Sequence, residues 1–362
     1  MIVYPHPLDY VSGLKYAVTS KKLPVEYKPS PETFHVLELV DLGSAGFNTK
    51  RGEYAVLKLW KRGIDTFKAL ETISKKLDVP VSNILFYGIK DKYACTESYV
   101  FVKSRLLDLG RLPISMNNLQ LELVGFTRIK PTRKMFKGNK FKVIIDVNKA
   151  TEVKALLEEI IGVILETGLP AYYGYQRFGW RRYNSHLLGK YILLKREDLF
   201  AEEFLQTPYL TEDFENTAKR VLGKYEDLLY EYTYVGATLG GALEAVVKKV
   251  HNILLDAYSS YLFNLLINTL VEKQGLNTLY RDLPMPGCPG SQGYYEGIFR
   301  VEGVNWNVLR NLDCSHRRGL FKPLNIVLEC RDSIVVYEFT LEPGMYATVV
   351  LRELFKDNLL LP

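Results

Sequence analysis

Thr33-Phe34-His35-Val36-Leu37-Glu38-Leu39-Val40 alternates like a half-buried strand, and Glu53-Tyr54-Ala55-Val56-Leu57-Lys58-Leu59-Trp60 repeats the pattern. Directly after them the period changes. Phe67, Leu70, Ile73 and Leu77 recur at helical spacing behind Asp65 or Thr66, which is the natural cap. Asn83 to Tyr87 leads into a glycine turn, and Ser98 to Val102 is a further strand. Leu119 to Phe126 and Phe141 to Val147 are predicted strands, and Thr151 to Thr167 a helix stopped by Gly168. Strands and helices mix without strict alternation. That pattern predicts α+β architecture with a mixed sheet rather than a doubly wound fold.

After about residue 170 the chain turns helical. Its longest pattern runs from Asn252 to Lys273, where Leu254, Tyr258, Tyr261, Leu262, Leu265 and Leu266 form one apolar stripe suited to a core. Pro284 to Gly290 is a loop by composition. Strand character returns at Leu324 to Glu329 and Ser333 to Leu341, and Ala347 to Phe355 closes as a helix. The simplest arrangement is a discontinuous domain, 1–169 with 311–362, interrupted by a helical insertion at 170–310. A chain of 362 residues suits two such bodies.

Composition narrows the class. With 47% hydrophobic and 24% charged residues the chain is globular, and wholesale disorder is excluded. No apolar run approaches the ~20 residues of a membrane helix. The first residues, Met1-Ile2-Val3-Tyr4-Pro5-His6, lack the basic and apolar regions of a signal peptide. Cys95, Cys288, Cys314 and Cys330 form no Cys-x-x-Cys pair and read as reduced, mostly buried thiols of a cytoplasmic protein. His6, His35, His186, His251 and His316 show no metal-ligand spacing, so no metal is expected. Gly236-Ala237-Thr238-Leu239-Gly240-Gly241 lacks the Gly-Lys-Ser/Thr of a phosphate loop and reads as a turn and helix start. No Gly-x-Ser-x-Gly elbow is present.

The net charge of +6 is unevenly placed: residues 170–310 carry 15 Lys/Arg against 16 Asp/Glu, which leaves +7 for the rest. Arg128, Lys130, Arg133, Lys134, Lys137, Lys140 and Lys142 crowd fifteen residues without an acid. Such a run is either a solvated face or a polyanion contact, and phosphate contacts give affinity without sequence choice.

Three short constellations could carry chemistry. In Gly88-Ile89-Lys90-Asp91-Lys92-Tyr93-Ala94-Cys95-Thr96-Glu97 one carboxylate sits between two lysines before a strand. It is either a surface turn with Asp91 capping local amides, or an aspartate held ionised as nucleophile or base. Lys137-Gly138-Asn139-Lys140-Phe141 sets an amide and an aromatic in the basic stretch. Gly174-Tyr175-Gln176-Arg177-Phe178-Gly179 sets an amide, a guanidinium and aromatics between glycines. Aromatic planes beside cations suit a splayed-out base.

Together these stretches resemble the tRNA pseudouridine synthase D (TruD) family. Gly88-Ile89-Lys90-Asp91-x-x-Ala94-x-Thr96 is similar to its catalytic motif, Phe34-x-Val36-x-Glu38 to its N-terminal strand, and Gly138-Asn139-x-Phe141 to its central strand. Gly174-x-Gln176-Arg177-Phe178-Gly179, Tyr258-Ser259-Ser260-Tyr261-Leu262-Phe263-Asn264 and Pro343-Gly344-x-Tyr346-Ala347-Thr348-x-x-x-Arg352-Glu353-Leu354 follow in family order. The resemblance implies a pseudouridine-synthase-like mixed-sheet catalytic domain, an inserted TRUD domain at 170–310, and no cofactor. It implies Asp91 as nucleophile, a uridine site lined by Phe34, Asn139, Phe141 and Tyr346, and Lys28 as the nearby basic residue. Arg133, Lys134, Lys137, Lys140 and Arg177 are weaker candidates for RNA contact. A monomer acting on RNA, tRNA above all, is the implied assembly. Ser98 and Ala171-Tyr172-Tyr173 depart from the family pattern, where Gln and Asn-x-Phe are usual.

The chemistry suits one carboxylate. Uridine isomerisation breaks the N1–C1′ bond, keeps the uracil, and rejoins it through C5. Asp91 could attack C1′ or take a proton from C2′ to give a glycal. A hydrolytic glycosidase normally needs two carboxylates and a water, and would release free uracil. A catalytically silent RNA-binding module would use the same basic groove without turnover.

Overall fold

The alternating segments form one nine-stranded sheet in the computed structural model, which describes residues 2–179, 182–208, 212–213, 215–221, 223 and 238–360. Numbered in chain order, its strands are β1 (Phe34–Val40), β2 (Tyr54–Arg62), β3 (Ile84–Phe86), β4 (Cys95–Lys103), β5 (Ile114–Met116), β6 (Leu119–Thr127), β7 (Phe136–Asp146), β8 (Leu324–Arg331) and β9 (Ile334–Leu341). Spatial order is β8-β9-β7-β1-β4-β2-β6-β5, and β3 also pairs with β4. Every pairing is antiparallel except β1 with β4, where Val36 faces Thr96. The sheet is therefore mixed, and the α+β expectation holds. β7 begins five residues before the predicted strand, so the Gly138-Asn139 motif lies inside the sheet.

Helix Thr66–Leu77 forms where its periodicity predicted, and the Asp65 carboxylate accepts the N–H groups of Phe67 and Lys68 as N-cap. It buries Ala69, Leu70, Ile73 and Leu77 against Leu57, Leu59, Val100, Val102, Leu119 and Leu121 of the sheet. Each fully buried side chain of this kind contributes about 1.5–3 kcal/mol. The helix thus anchors the strands that carry the site.

Contacts divide the chain into two units. One comprises Lys21–Glu166, Lys322–Ala347 and Asn358–Pro362; the other comprises Met1–Ser20, Thr167–Phe321 and Thr348–Asp357. The second unit thus takes in the first twenty residues and most of the closing helix Ala347–Phe355, besides the helical stretch. Buried asparagines explain the first. Asn264 Nδ2 donates to the Ser12 carbonyl at 2.8 Å, and Asn268 Nδ2 to that of Gly13 at 3.0 Å. Both belong to helix His251–Gln274, whose buried residues run all round rather than along one stripe. Helix Ser185–Leu193 crosses it closely. A Cβ at Gly189 would lie 2.0 Å from the Leu254 carbonyl oxygen, so only glycine fits there.

Two further expectations meet the structure in this unit. Cys288 and Cys314 are disulfide-bonded, which corrects the expectation of four reduced thiols. Strand pairing of Pro284 with His316 closes a separation of 26 residues to 4.4 Å between Cα atoms. Cys95 and Cys330 are free, and Cys330 is exposed. In the glycine stretch, Thr238 Oγ1 accepts the Gly241 N–H and caps helix Leu239–Val247, while Gly236 and Ala237 lie outside the described residues. Among the described residues no helix is long and apolar enough to cross a membrane.

Candidate active site

Strand parity gathers the candidate residues on one face of the sheet. Phe34, Val36 and Glu38 alternate inward on β1, opposite Val143, Phe141 and Asn139 of β7. Phe141 and Asn139 in turn face Phe339 and Leu341 of β9. On the other flank Thr96 of β4 lies opposite both Val36 and Lys61 of β2. One buried row therefore crosses five strands: Lys61, Thr96, Val36, Phe141, Phe339. Gly138 permits the close pairing at its edge. Its φ is +128°, and a Cβ there would lie 2.0 Å from the Leu341 carbonyl oxygen.

The aromatic members stack. Phe34 and Phe141 ring centroids are 5.9 Å apart at 13°, and Phe141 and Phe339 are 5.3 Å apart at 25°. Phe141 is only 6% exposed. Its outward-facing neighbour two residues back differs. Asn139 is half-buried, and its Oδ1 is buried with no hydrogen-bond partner. A buried amide oxygen left unpaired costs about 1–3 kcal/mol, unless a ligand supplies the donor.

Asp91 stands on the loop between β3 and β4, and the loop is held from three sides. Lys90 forms a buried ion pair with Glu38, Nζ to Oε1 2.5 Å, and lies 5.3 Å over the Phe136 ring. Thr66, first residue of its helix, exchanges two 3.0 Å hydrogen bonds with the Lys90 backbone. The Lys61 ammonium donates to the carbonyls of Ile64, Lys90 and Asp91. Glu38 also accepts the Tyr99 N–H at 2.9 Å, where β4 passes from pairing with β1 to pairing with β3. Burial pulls the Lys61 ammonium down to about 8, against the attraction of Asp91 and Asp65. The Asp91 side chain is half-buried, and its Oδ1 accepts the Tyr93 N–H at 3.3 Å. It therefore caps a local amide, as the turn reading expected, on a rigidly held backbone.

The remaining candidates fall elsewhere. Lys28 is exposed, and its carbonyl accepts the Thr33 hydroxyl. Tyr346 is half-buried beyond the turn that follows β9. Lys140 and Lys142 point to the opposite face from Asn139 and Phe141, and both pair with Glu338. The stretch without an acid in sequence thus gains one across the strands. Arg133 and Lys134 are exposed, and Lys137 lies 3.9 Å from Asp41. Arg177 belongs to the other unit, where it donates to Ser260 and lies near Asp256 and over Tyr173. Ser98 is buried, and Ala171 accepts Arg317 through its carbonyl. Among the described residues no group of three His, Cys, Asp or Glu could hold a metal.

Sequence reasoning passed over Lys61 and the pairing of Lys90 with Glu38. A signal existed. Lys61 shares the parity of Leu57 and Leu59, and Glu38 that of Phe34 and Val36, so each is a charge on a core-facing position.

A family model described as tRNA pseudouridine synthase D (TruD) matches residues 11–232. A Pyrococcus furiosus protein named as a probable tRNA pseudouridine synthase D is 26% identical, over 96% of this chain and 100% of that one. A Saccharolobus solfataricus protein of the same name is 29% identical, over 98% of each chain. The crystal structure of a Methanosarcina mazei protein bearing that family name superposes with a TM-score of 0.69. At 21% identity, over 98% of this chain and 99% of that one, it shows a shared fold.

Proposed function

The chain belongs to the tRNA pseudouridine synthase D (TruD) family, and from that premise we propose that it isomerises a uridine of tRNA to pseudouridine with Asp91 as nucleophile. One observation carries the assignment of the site. Asp91 follows directly on Lys90, whose side chain is bonded to Glu38, and Glu38 lies opposite Asn139 with its unpaired buried oxygen. A carboxylate and a waiting acceptor thus serve one face of the sheet. The acceptor suits the N3–H of uracil, which a detached base must keep bonded while it turns. The Phe34–Phe141–Phe339 stack forms the floor of the uridine site, with Tyr346 and Lys28 completing it.

The reaction is balanced within the substrate. The N1–C1′ bond breaks, the C5–C1′ bond forms, and the C5 proton is replaced by one at N1. Asp91 either bonds C1′ in between or removes a C2′ proton that is later returned. The clamped loop holds the carboxylate at the ribose through both halves of the reaction. The inserted segment and the catalytic segments act together as the two parts of one synthase, with Arg133, Lys134, Lys137, Lys140 and Arg177 as candidate phosphate contacts. Release of tritium from tRNA carrying 5-tritiated uridine tests this reading directly. Expected is stoichiometric release without free uracil. Free uracil would mean a glycosidase, and binding without release a silent RNA-binding module.

A further inference from the structure

Lys61 stands near the end of β2 with its side chain fully buried, yet it ends on a charge. Nζ lies 3.0 Å from the carbonyl oxygen of Ile64, 2.8 Å from that of Asp91 and 3.4 Å from that of Lys90. An ammonium has three donors and no acceptor, so these three carbonyls use it fully. Two of them belong to the peptide units on either side of the Asp91 Cα. The surroundings are tight: the void lined by Glu38, Lys61, Thr66, Lys90 and Ser98 holds about 10 Å³, room for at most one water. Packing alone does not call for lysine here, because apolar residues of similar volume avoid the desolvation penalty of a buried charge.

We propose that Lys61 is the positioning residue of Asp91: its ammonium fixes the two peptide units around the Asp91 Cα, and so aims the carboxylate at the ribose. The proposal rests on Asp91 being the nucleophile. The groups facing Lys61 are Asp91 and Lys90 from the loop, Asp65 from the head of the helix, and Cys95 from β4. Lys90 is itself paired with Glu38, which leaves the two aspartates to hold the ammonium charged. Near pH 8 that proton leaves the folded protein. The neutral amine keeps two donors and turns a lone pair toward a carbonyl, so the clamp opens. Stability does not fall with it. Between about 8 and about 10.4 the unfolded chain holds a proton that the folded one has lost, so rising pH favours the fold at this group.

The test measures tritium release by the full chain, from neutral into alkaline pH, with melting temperature and tRNA affinity in parallel. In the wild type, kcat falls with a midpoint near pH 8 while KM and melting temperature hold. Lys61→Met lowers kcat by about 100-fold, the usual cost of misaiming a reacting group by about 1 Å, and leaves tRNA affinity unchanged. Lys61→Arg, whose charge does not titrate, removes the alkaline fall. Wild-type kcat in folded Lys61→Met would overturn the proposal. So would an alkaline fall that survives in Lys61→Arg, or a loss of kcat that only follows the melted fraction. Asp91→Asn is run beside them. Activity in that variant would sink the nucleophile reading on its own, whatever Lys61 does.

Discussion

Two buried ionic clusters differ in what they leave open. Around Asp91, Glu38 and Lys90 pair inside the sheet unit, Lys61 holds the backbone, and the Asp91 carboxylate remains half-exposed. In the helical unit Asp9, Tyr175 and Arg352 are all fully buried and bonded to one another, with Arg352 Nε 3.0 Å from Asp9. Beside them Glu353 accepts Tyr4, Thr19 and Lys356. Burial raises the Asp9 carboxyl above its usual range, with Arg352 pulling the other way. The Asp9 cluster ties the first residues to the closing helix and admits no substrate. Buried charge alone therefore does not mark a site. The mark is a reactive group left accessible on a backbone that cannot move.

The largest expected effect breaks that contrast if it fails. Asp91→Asn should lower turnover by on the order of 10⁴-fold or more, since removing a nucleophile removes the covalent route. Melting temperature and tRNA affinity should hold; tritium release, thermal melting and filter binding check all three. Arg352→Met should do the reverse. It leaves Asp9 buried and unpaired, at about 3–5 kcal/mol of stability, with normal turnover in the folded fraction. A turnover loss exceeding the melted fraction would mean that the closed cluster also serves the site.

Phe141 sharpens the comparison, because it is both core and proposed floor. Phe141→Ala should cost about 3–5 kcal/mol in denaturant unfolding, and a further ~10-fold or more in turnover of the folded fraction through lost stacking. Normal turnover in that fraction would leave it core alone.

His186 offers a pH counterpart to Lys61 in the helical unit. Burial pulls its imidazole down to about 3, and it stacks on Tyr261 at 4.4 Å. The folded state keeps it neutral while the unfolded chain protonates below about 6.5. Stability should therefore fall as pH drops from about 6.5 toward 3, by about 1.4 kcal/mol per unit from this group. Urea unfolding of His186→Phe should show a shallower acid slope; an unchanged slope would assign it elsewhere.

The smallest effect concerns the surface. Lys134 and Lys137 replaced by Gln should flatten the log–log salt dependence of tRNA binding by up to about 2 units, scaled down for single strands. Adding Lys140→Gln should change little more, because Glu338 already holds it at 2.6 Å. A further full step from Lys140 would show that RNA displaces that ion pair.

How much was legible follows from range. The Asp91 motif, the alternating strands and the capped helix are local patterns, set by neighbours within a few residues. That Asn139 and Phe141 share a face follows from strand period alone. Partners thirty or more residues apart could not be read. Lys61 and Asp91 meet because β2 and β4 pair with Lys61 opposite Thr96. Glu38 and Lys90 meet because β1 runs parallel to β4, a pairing that no local pattern announces. The half-buried disulfide strand likewise needed Pro284 brought to His316.

The sequence by itself determined which residues are chemically able to act, the class of fold, and the family, because motif, period and composition are properties of the chain. Tertiary structure alone decided which charges are neutralised, which acceptor stays empty, and which lysine holds Asp91. Those depend on desolvation and on distances of a few ångströms, and both arise only when strands remote in sequence pair and exclude water.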